Sequence, residues 1–149
     1  MVYFDTSALI AVYTYRDETG EIDQLLNNEM TPIVIWSFTE VEFESALQQL
    51  VRTKELTQMT RMDIQTLFQT DKHLGRVLVQ SVLDVSKIHE IAKMIIGKPN
   101  FSERALDAIH VASALIFEAS TFISLDVKQR SMAKREGLAV YPIKVKGEK

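Results

Sequence analysis

The 149-residue sequence predicts an α/β fold of three layers, α/β/α, with a central parallel, twisted sheet of four to five strands. Two observations carry this prediction. Short apolar, β-branched runs alternate with helix-periodic stretches along the whole chain, and the first strand turns straight into a helix. Such βαβ order implies a sheet covered by helices on both faces. With 46% hydrophobic and 25% charged residues, no Gly- or Ser-rich break and no internal repeat, a single domain over residues 1–149 is expected.

The elements follow in order. "VYF" reads as a short buried strand, and Ala8, Leu9, Ala11 and Val12 recur at helical spacing, which puts Asp5 at the turn between strand and helix. Aspartate is a favoured helix cap, but Thr6 and Ser7 would cap equally well, so capping and chemistry both stand open for Asp5. "ETGEIDQLLNN" carries Ile22, Leu25 and Leu26 at helical spacing, and "PIVIWS" is a strand bounded by Pro32. In "SFTEVEFESALQQLVRTKEL" a helix is expected, with Ser37 and Glu40 as a capping box and Phe43, Ala46, Leu47 and Leu50 on one face. "TQMTRMDIQTLFQTDKHL" is a second helix with Met62, Leu67 and Phe68 apolar, and "RVLVQSV" the next strand. "SKIHEIAKMIIG" is a helix ending at Gly97 as its C′ residue. "SERALDAIHVASALIFEAS" is the most apolar helix, and "TFISLD" a strand ending in Asp126. "VKQRSMAKREG" is a basic helix closed by Gly137, and "LAVYPI" a last strand.

Composition excludes several chemistries. Without cysteine there is no disulfide framework, thiol nucleophile or cysteine zinc site, and three scattered histidines argue against zinc altogether. The first strand begins at Val2, and no apolar run approaches the ~18 residues of a membrane span, so a cytoplasmic protein without a membrane partner is expected. Twenty acids against seventeen bases disfavour nucleic acid mildly, unless four of the acids hold cations, which leaves sixteen against seventeen.

The acids themselves are placed unusually. Asp107 interrupts a helix that is apolar around most of its circumference, so its carboxylate needs a partner, either Arg104 three residues earlier or a metal. Asp126 sits between an apolar strand and a basic helix and reads as an N-cap when taken singly. Glu42 lies at the edge of the Phe43/Ala46/Leu47/Leu50 face, where Glu40 and Glu44 flank it and geometry does not choose among the three. In a parallel α/β fold, ligands bind beyond the carboxyl ends of the strands, where Asp5 and Asp126 are expected. Two such aspartates with acids on two apolar helices match what Mg²⁺ or Mn²⁺ requires.

The sequence resembles PIN-domain proteins, and more narrowly VapC-type toxin ribonucleases of toxin-antitoxin pairs. The matching residues are Asp5-Thr6-Ser7 after the first strand, Glu42 in "TEVEFESAL", Asp107 in "RALDAIHVASAL" and Asp126 in "FISLDVKQRSMAKREGLAVYPI". The resemblance spans nearly the whole chain. It departs at Ser124, where the family commonly has Thr, and residues Thr53 to Val77 match nothing in it. It implies an endoribonuclease hydrolysing RNA phosphodiester bonds, with Asp5, Glu42, Asp107 and Asp126 holding one or two Mg²⁺ or Mn²⁺ ions. A cognate antitoxin and a homodimer are implied as well. Water attack would leave a 5′-phosphate and a 3′-hydroxyl, and the carboxylates would titrate together, shifted upward without metal.

Around these residues further roles are expected. Thr6, Ser7 and Ser124 are candidates for orienting the carboxylates, against the alternative of local caps. His110, one turn beyond Asp107 and similar to the family's usual histidine, is expected to make a structural hydrogen bond rather than act in catalysis. Arg104, Lys128 and Arg130 are candidate contacts to RNA phosphates, or else solvated surface charges. Trp36 is expected in the core rather than against a base. Two other functions bear weighing. A catalytically weak PIN fold would serve as an RNA-binding or protein-interaction module, whereas a haloacid-dehalogenase-type phosphatase needs a second aspartate where this chain has Ser7. For the Thr53–Val77 region, partner contacts compete with packing in the domain's own core.

Overall fold

Val2 and Phe4 enter one hydrophobic core and Tyr3 another, so the first strand, β1 (Val2–Phe4), is buried on both faces. The computed structural model describes residues 1–14, 20–29, 32–82, 84–99 and 104–147. After β1 come α1 (Thr6–Thr14), α2 (Gly20–Glu29), β2 (Ile33–Trp36), α3 (Ser37–Arg52), α4 (Gln58–His73) and β3 (Val77–Gln80). Then follow α5 (Val85–Ile96), α6 (Ala105–Ile116), β4 (Thr121–Ile123), α7 (Val127–Arg135) and β5 (Ala139–Tyr141). The expected starts at Glu18 and Ser102, and the side chain of Leu25, lie outside the described residues.

The strands form one sheet in the order β3-β2-β1-β4-β5, with every neighbouring pair parallel. The α/β reading therefore holds, with five strands. Phe4, Leu9, Phe43, Leu47 and Phe68 fill the core under α1, α3 and α4, and Tyr3, Ile88, Val111, Phe122 and Met132 fill that under α5, α6 and α7. Strand order reverses at β1, because β2 and β3 lie to one side of it and β4 and β5 to the other. The crevice beyond its carboxyl end is the binding position for this architecture. Asp5 stands there, its N–H donating to the Ile123 carbonyl at 3.0 Å, so the β1–β4 ladder runs one residue past β1.

Three local expectations are corrected. The fourth strand ends at Ile123 rather than Asp126; Asp126 caps α7, as its position before a basic helix suggested, by accepting from the Lys128 and Gln129 N–H groups at 2.9 and 3.2 Å. Strand β2 runs directly into α3, so Trp36 occupies the cap position, Ser37 lies inside the helix, and Glu40 pairs with Lys72 instead of closing a capping box. Gly97 ends α5 with φ −71°, not in the left-handed region. On α4 the buried stripe is Ile64 and Phe68, while Met62 and Leu67 are exposed.

Phe68 shows why α4 sits where it does. Its ring centroid lies 4.8 Å from that of Phe43 and 5.5 Å from that of Tyr13, and the Tyr13 hydroxyl donates to Asp71 Oδ2 at 2.8 Å. The unmatched Thr53–Val77 segment thus contributes to the domain's own core. Trp36 is buried as expected, against Phe38.

Candidate active site

Asp5 is almost fully buried and fully engaged. Its Oδ1 accepts from the Ala8 N–H at 2.8 Å, the cap of α1, while the Ser7 hydroxyl lies 2.8 and 2.9 Å from its two oxygens and Ser124 Oγ donates to Oδ2 at 2.9 Å. Capping and site roles therefore coexist in one carboxylate. Burial pushes its carboxyl up to about 6, despite the opposing pull of His110 and of the Ala8, Ser7 and Ser124 donors. Ser124 Oγ also accepts the Asp126 N–H at 3.1 Å, so one hydroxyl ties the two aspartates together.

Helix α3 presents three acids, and their partners separate them. Glu40 pairs with Lys72 and Glu44 takes Gln65 Nε2 at 2.6 Å, both across to α4. Glu42 turns the other way: Thr6 Oγ1 donates to its Oε2 at 2.6 Å, and His110 Nε2 lies 2.6 Å from the same oxygen. The other ring nitrogen, Nδ1, is 2.9 Å from the buried Tyr3 hydroxyl. An ionised Glu42 can only accept, so Nε2 carries the shared proton and His110 holds the structural role expected of it. Burial pushes the Glu42 carboxyl up, but the His110 and Thr6 hydrogen bonds and the Arg104 charge outweigh it and hold the group below its ordinary range. The expected upward shift thus appears at Asp5 and is reversed at Glu42.

Asp107, buried in the first turn of α6, accepts the Arg104 backbone N–H on Oδ2 at 3.1 Å. The Arg104 guanidinium reaches Asp107 Oδ1 at 3.3 Å and Asp126 Oδ2 at 3.0 Å through the same Nη2. Arg104 and the four carboxylates line one cleft of about 550 Å³ at the switch point, together with His110, Ser7 and Thr6. As they stand, among the described residues no three acid or imidazole side chains close a metal site. The donors are nonetheless hard oxygens from four separate elements, a set that suits a hard divalent cation.

Of the candidate phosphate contacts, Lys128 is exposed, but Arg130 is fully buried. Its Nη1 donates to the Ser124 carbonyl at 3.0 Å and its Nη2 to the Pro142 carbonyl at 2.6 Å, so it braces the loop before Asp126 and has no path to RNA. Tyr3 was hidden in an apolar run, with no signal to mark it as the partner of His110. Lys144 and Lys146 line a second cleft, of about 630 Å³, that shares Leu125 with the first.

The PIN domain model matches residues 2–135. The chain belongs to the PIN domain family. Solved structures of similar fold include VapBC2 from Rickettsia felis bound to a promoter DNA fragment, at 16% identity and TM-score 0.62 over 95% of this chain and 98% of that one. A toxin-antitoxin complex from Klebsiella pneumoniae is similar at 19% identity and TM-score 0.60, covering 98% and 100%. Mycobacterium tuberculosis VapC20, a sarcin-ricin loop cleaving toxin, is similar at 13% identity and TM-score 0.58, covering 82% and 87%. No curated protein matches the chain in sequence. Among the described residues of this PIN domain no helix is long and apolar enough to cross a membrane.

Proposed function

We propose that this PIN domain is a metal-dependent endoribonuclease, a single domain over residues 1–149 and the toxin of a type II toxin-antitoxin pair. The observation that carries the reading is the convergence of Asp5, Glu42, Asp107 and Asp126 in one cleft at the sheet's switch point, in a family whose members are generally nucleases. Asp5, Glu42, Asp107 and Asp126 are the catalytic residues and would hold one or two Mg²⁺ or Mn²⁺ ions. When bound, such an ion acidifies water and offsets the charge that builds on the phosphodiester in the transition state.

The chain's own groups orient the acids. Ser7 and Ser124 fix both Asp5 oxygens, and Thr6 and His110 fix Glu42, so neither carboxylate has to reorganise as substrate arrives. His110 is committed to Glu42, so water attack would proceed without an imidazole base; the products, a 5′-phosphate and a 3′-hydroxyl, are those the family resemblance implies. Lys128, exposed next to Asp126, and Lys144 and Lys146 across Leu125 would meet the flanking phosphates. The fold shared with a toxin-antitoxin complex and with a sarcin-ricin loop cleaving toxin supports an antitoxin partner and an RNA substrate. A homodimer in the cytoplasm completes the proposal.

A second reading draws on Arg104, which bridges two of the four acids: a PIN-fold RNA-binding or protein-interaction module with little catalysis. Cleavage of a mixed structured RNA pool with Mg²⁺, Mn²⁺ or EDTA, beside Asp5→Asn, separates the two. Metal-dependent cutting lost in Asp5→Asn supports the nuclease. Absence of cutting by folded protein, together with no Mn²⁺ uptake by calorimetry, supports the module.

A further inference from the structure

Each aspartate at the mouth of the cleft spends one oxygen on a helix end. Asp126 Oδ1 accepts the Lys128 and Gln129 N–H groups, and Asp107 Oδ2 accepts the Arg104 N–H. The remaining oxygens, Asp107 Oδ1 and Asp126 Oδ2, are the pair left to face a ligand. A single nitrogen, Arg104 Nη2, stands 3.3 and 3.0 Å from them. Asp107 and Asp126 would be two of the residues that hold a divalent cation in this cleft. The side chain that carries Nη2 is 74% exposed, so it leaves the cleft with little loss of packing.

We infer that Arg104 is a displaceable internal counter-ion: in the metal-free protein its guanidinium neutralises Asp107 and Asp126, and a divalent cation enters by evicting it. The inference rests on the metal-dependent reading above. It gives the Arg104 guanidinium a role in a cleft that all four acids line and where, among the described residues, no three acid or imidazole side chains close a metal site. It also assigns Arg104 a positioning role, distinct from the phosphate contact that a surface arginine suggests. The two acids it bridges are otherwise held by helix ends and would repel each other once the arginine is gone.

The test is Mn²⁺ titration calorimetry on wild type, Arg104→Gln and Arg104→Lys, with thermal unfolding of each in EDTA and in Mn²⁺. Because an exposed ion pair opposes metal entry only modestly, Arg104→Gln is expected to bind Mn²⁺ about fivefold more tightly than wild type, with Arg104→Lys in between. Arg104→Gln should also melt lower than wild type in EDTA and regain the difference in Mn²⁺. A purely structural arginine would lower melting in both solutions and would not tighten binding, which overturns the inference. If wild type takes up Mn²⁺ and Arg104→Gln binds equally or more weakly, the inference fails while the nuclease reading stands. If neither protein takes up Mn²⁺, both fail.

Discussion

His110 Nε2 lies 2.6 Å from Glu42 Oε2, while its Nδ1 lies 2.9 Å from the Tyr3 hydroxyl. A buried residue of the central strand is thereby connected through one imidazole to a carboxylate at the mouth of the cleft. Replacing His110 by Ala strips Glu42 of that partner and takes the imidazole away from the buried Tyr3 hydroxyl. We expect cleavage to fall about 10- to 100-fold and stability to fall by about 1–3 kcal/mol. Tyr3→Phe removes only the hydroxyl and keeps the ring, and should cost about 1 kcal/mol with a smaller loss of cleavage. Urea unfolding alongside rate measurement checks both.

Asp5 makes metal-free stability depend on pH. Its carboxyl is raised from 3.8 to about 6, so between those values the folded protein keeps a proton that the unfolded chain has released. Stability from this group is therefore greatest below the lower value and is lost as pH rises through about 6, a difference of about 3 kcal/mol. Asp5→Asn has no such proton to lose. In EDTA, the stability of Asp5→Asn relative to wild type should rise from pH 4 to pH 7.5, and a flat difference would refute the assignment.

Arg130 and Lys128 stand two residues apart on α7 and should behave in opposite ways. Arg130→Ala orphans the Ser124 and Pro142 carbonyls inside the protein and should destabilise by about 3 kcal/mol or more. Lys128→Ala should leave stability within about 0.5 kcal/mol. Its effect, if it meets RNA, is a higher KM and a shallower dependence of binding on salt.

Helix α4 gives a control far from the acids. Phe68→Ala opens a cavity between Tyr13 and Phe43 and should cost about 3–5 kcal/mol, whereas Met62→Ala on the exposed side should stay within about 0.5 kcal/mol. Equal effects at the two positions would contradict the packing of α4.

How much of this was legible follows from where each signal lies. Asp5 and Asp107 interrupt apolar periodicity, so each announces itself locally, and the β/α alternation carries the layer order. Glu42 could not be told from Glu40 and Glu44 by geometry, because what separates them is α4: Lys72 and Gln65 take the other two from across the helix pair. The resemblance to a family supplied that choice. Arg130 was misread because a run of charges looks solvated, and its carbonyl partners, at Ser124 and beyond the next strand at Pro142, cannot be seen from α7 alone. The capping box failed for a related reason, since a strand feeding directly into a helix displaces the cap by one residue.

The strand order has a consequence for synthesis. β1 is made first but pairs with β4, and the hydrogen bond from Ser124 to Asp5 joins residues 119 positions apart. Until the segment from β4 to α7 has been made and can fold, Asp5 lacks its second hydroxyl donor and the cleft lacks Asp126. Such distant closure is slow compared with local helix formation. A chain stopped short of β4 and α7 is consequently unable to assemble the cleft.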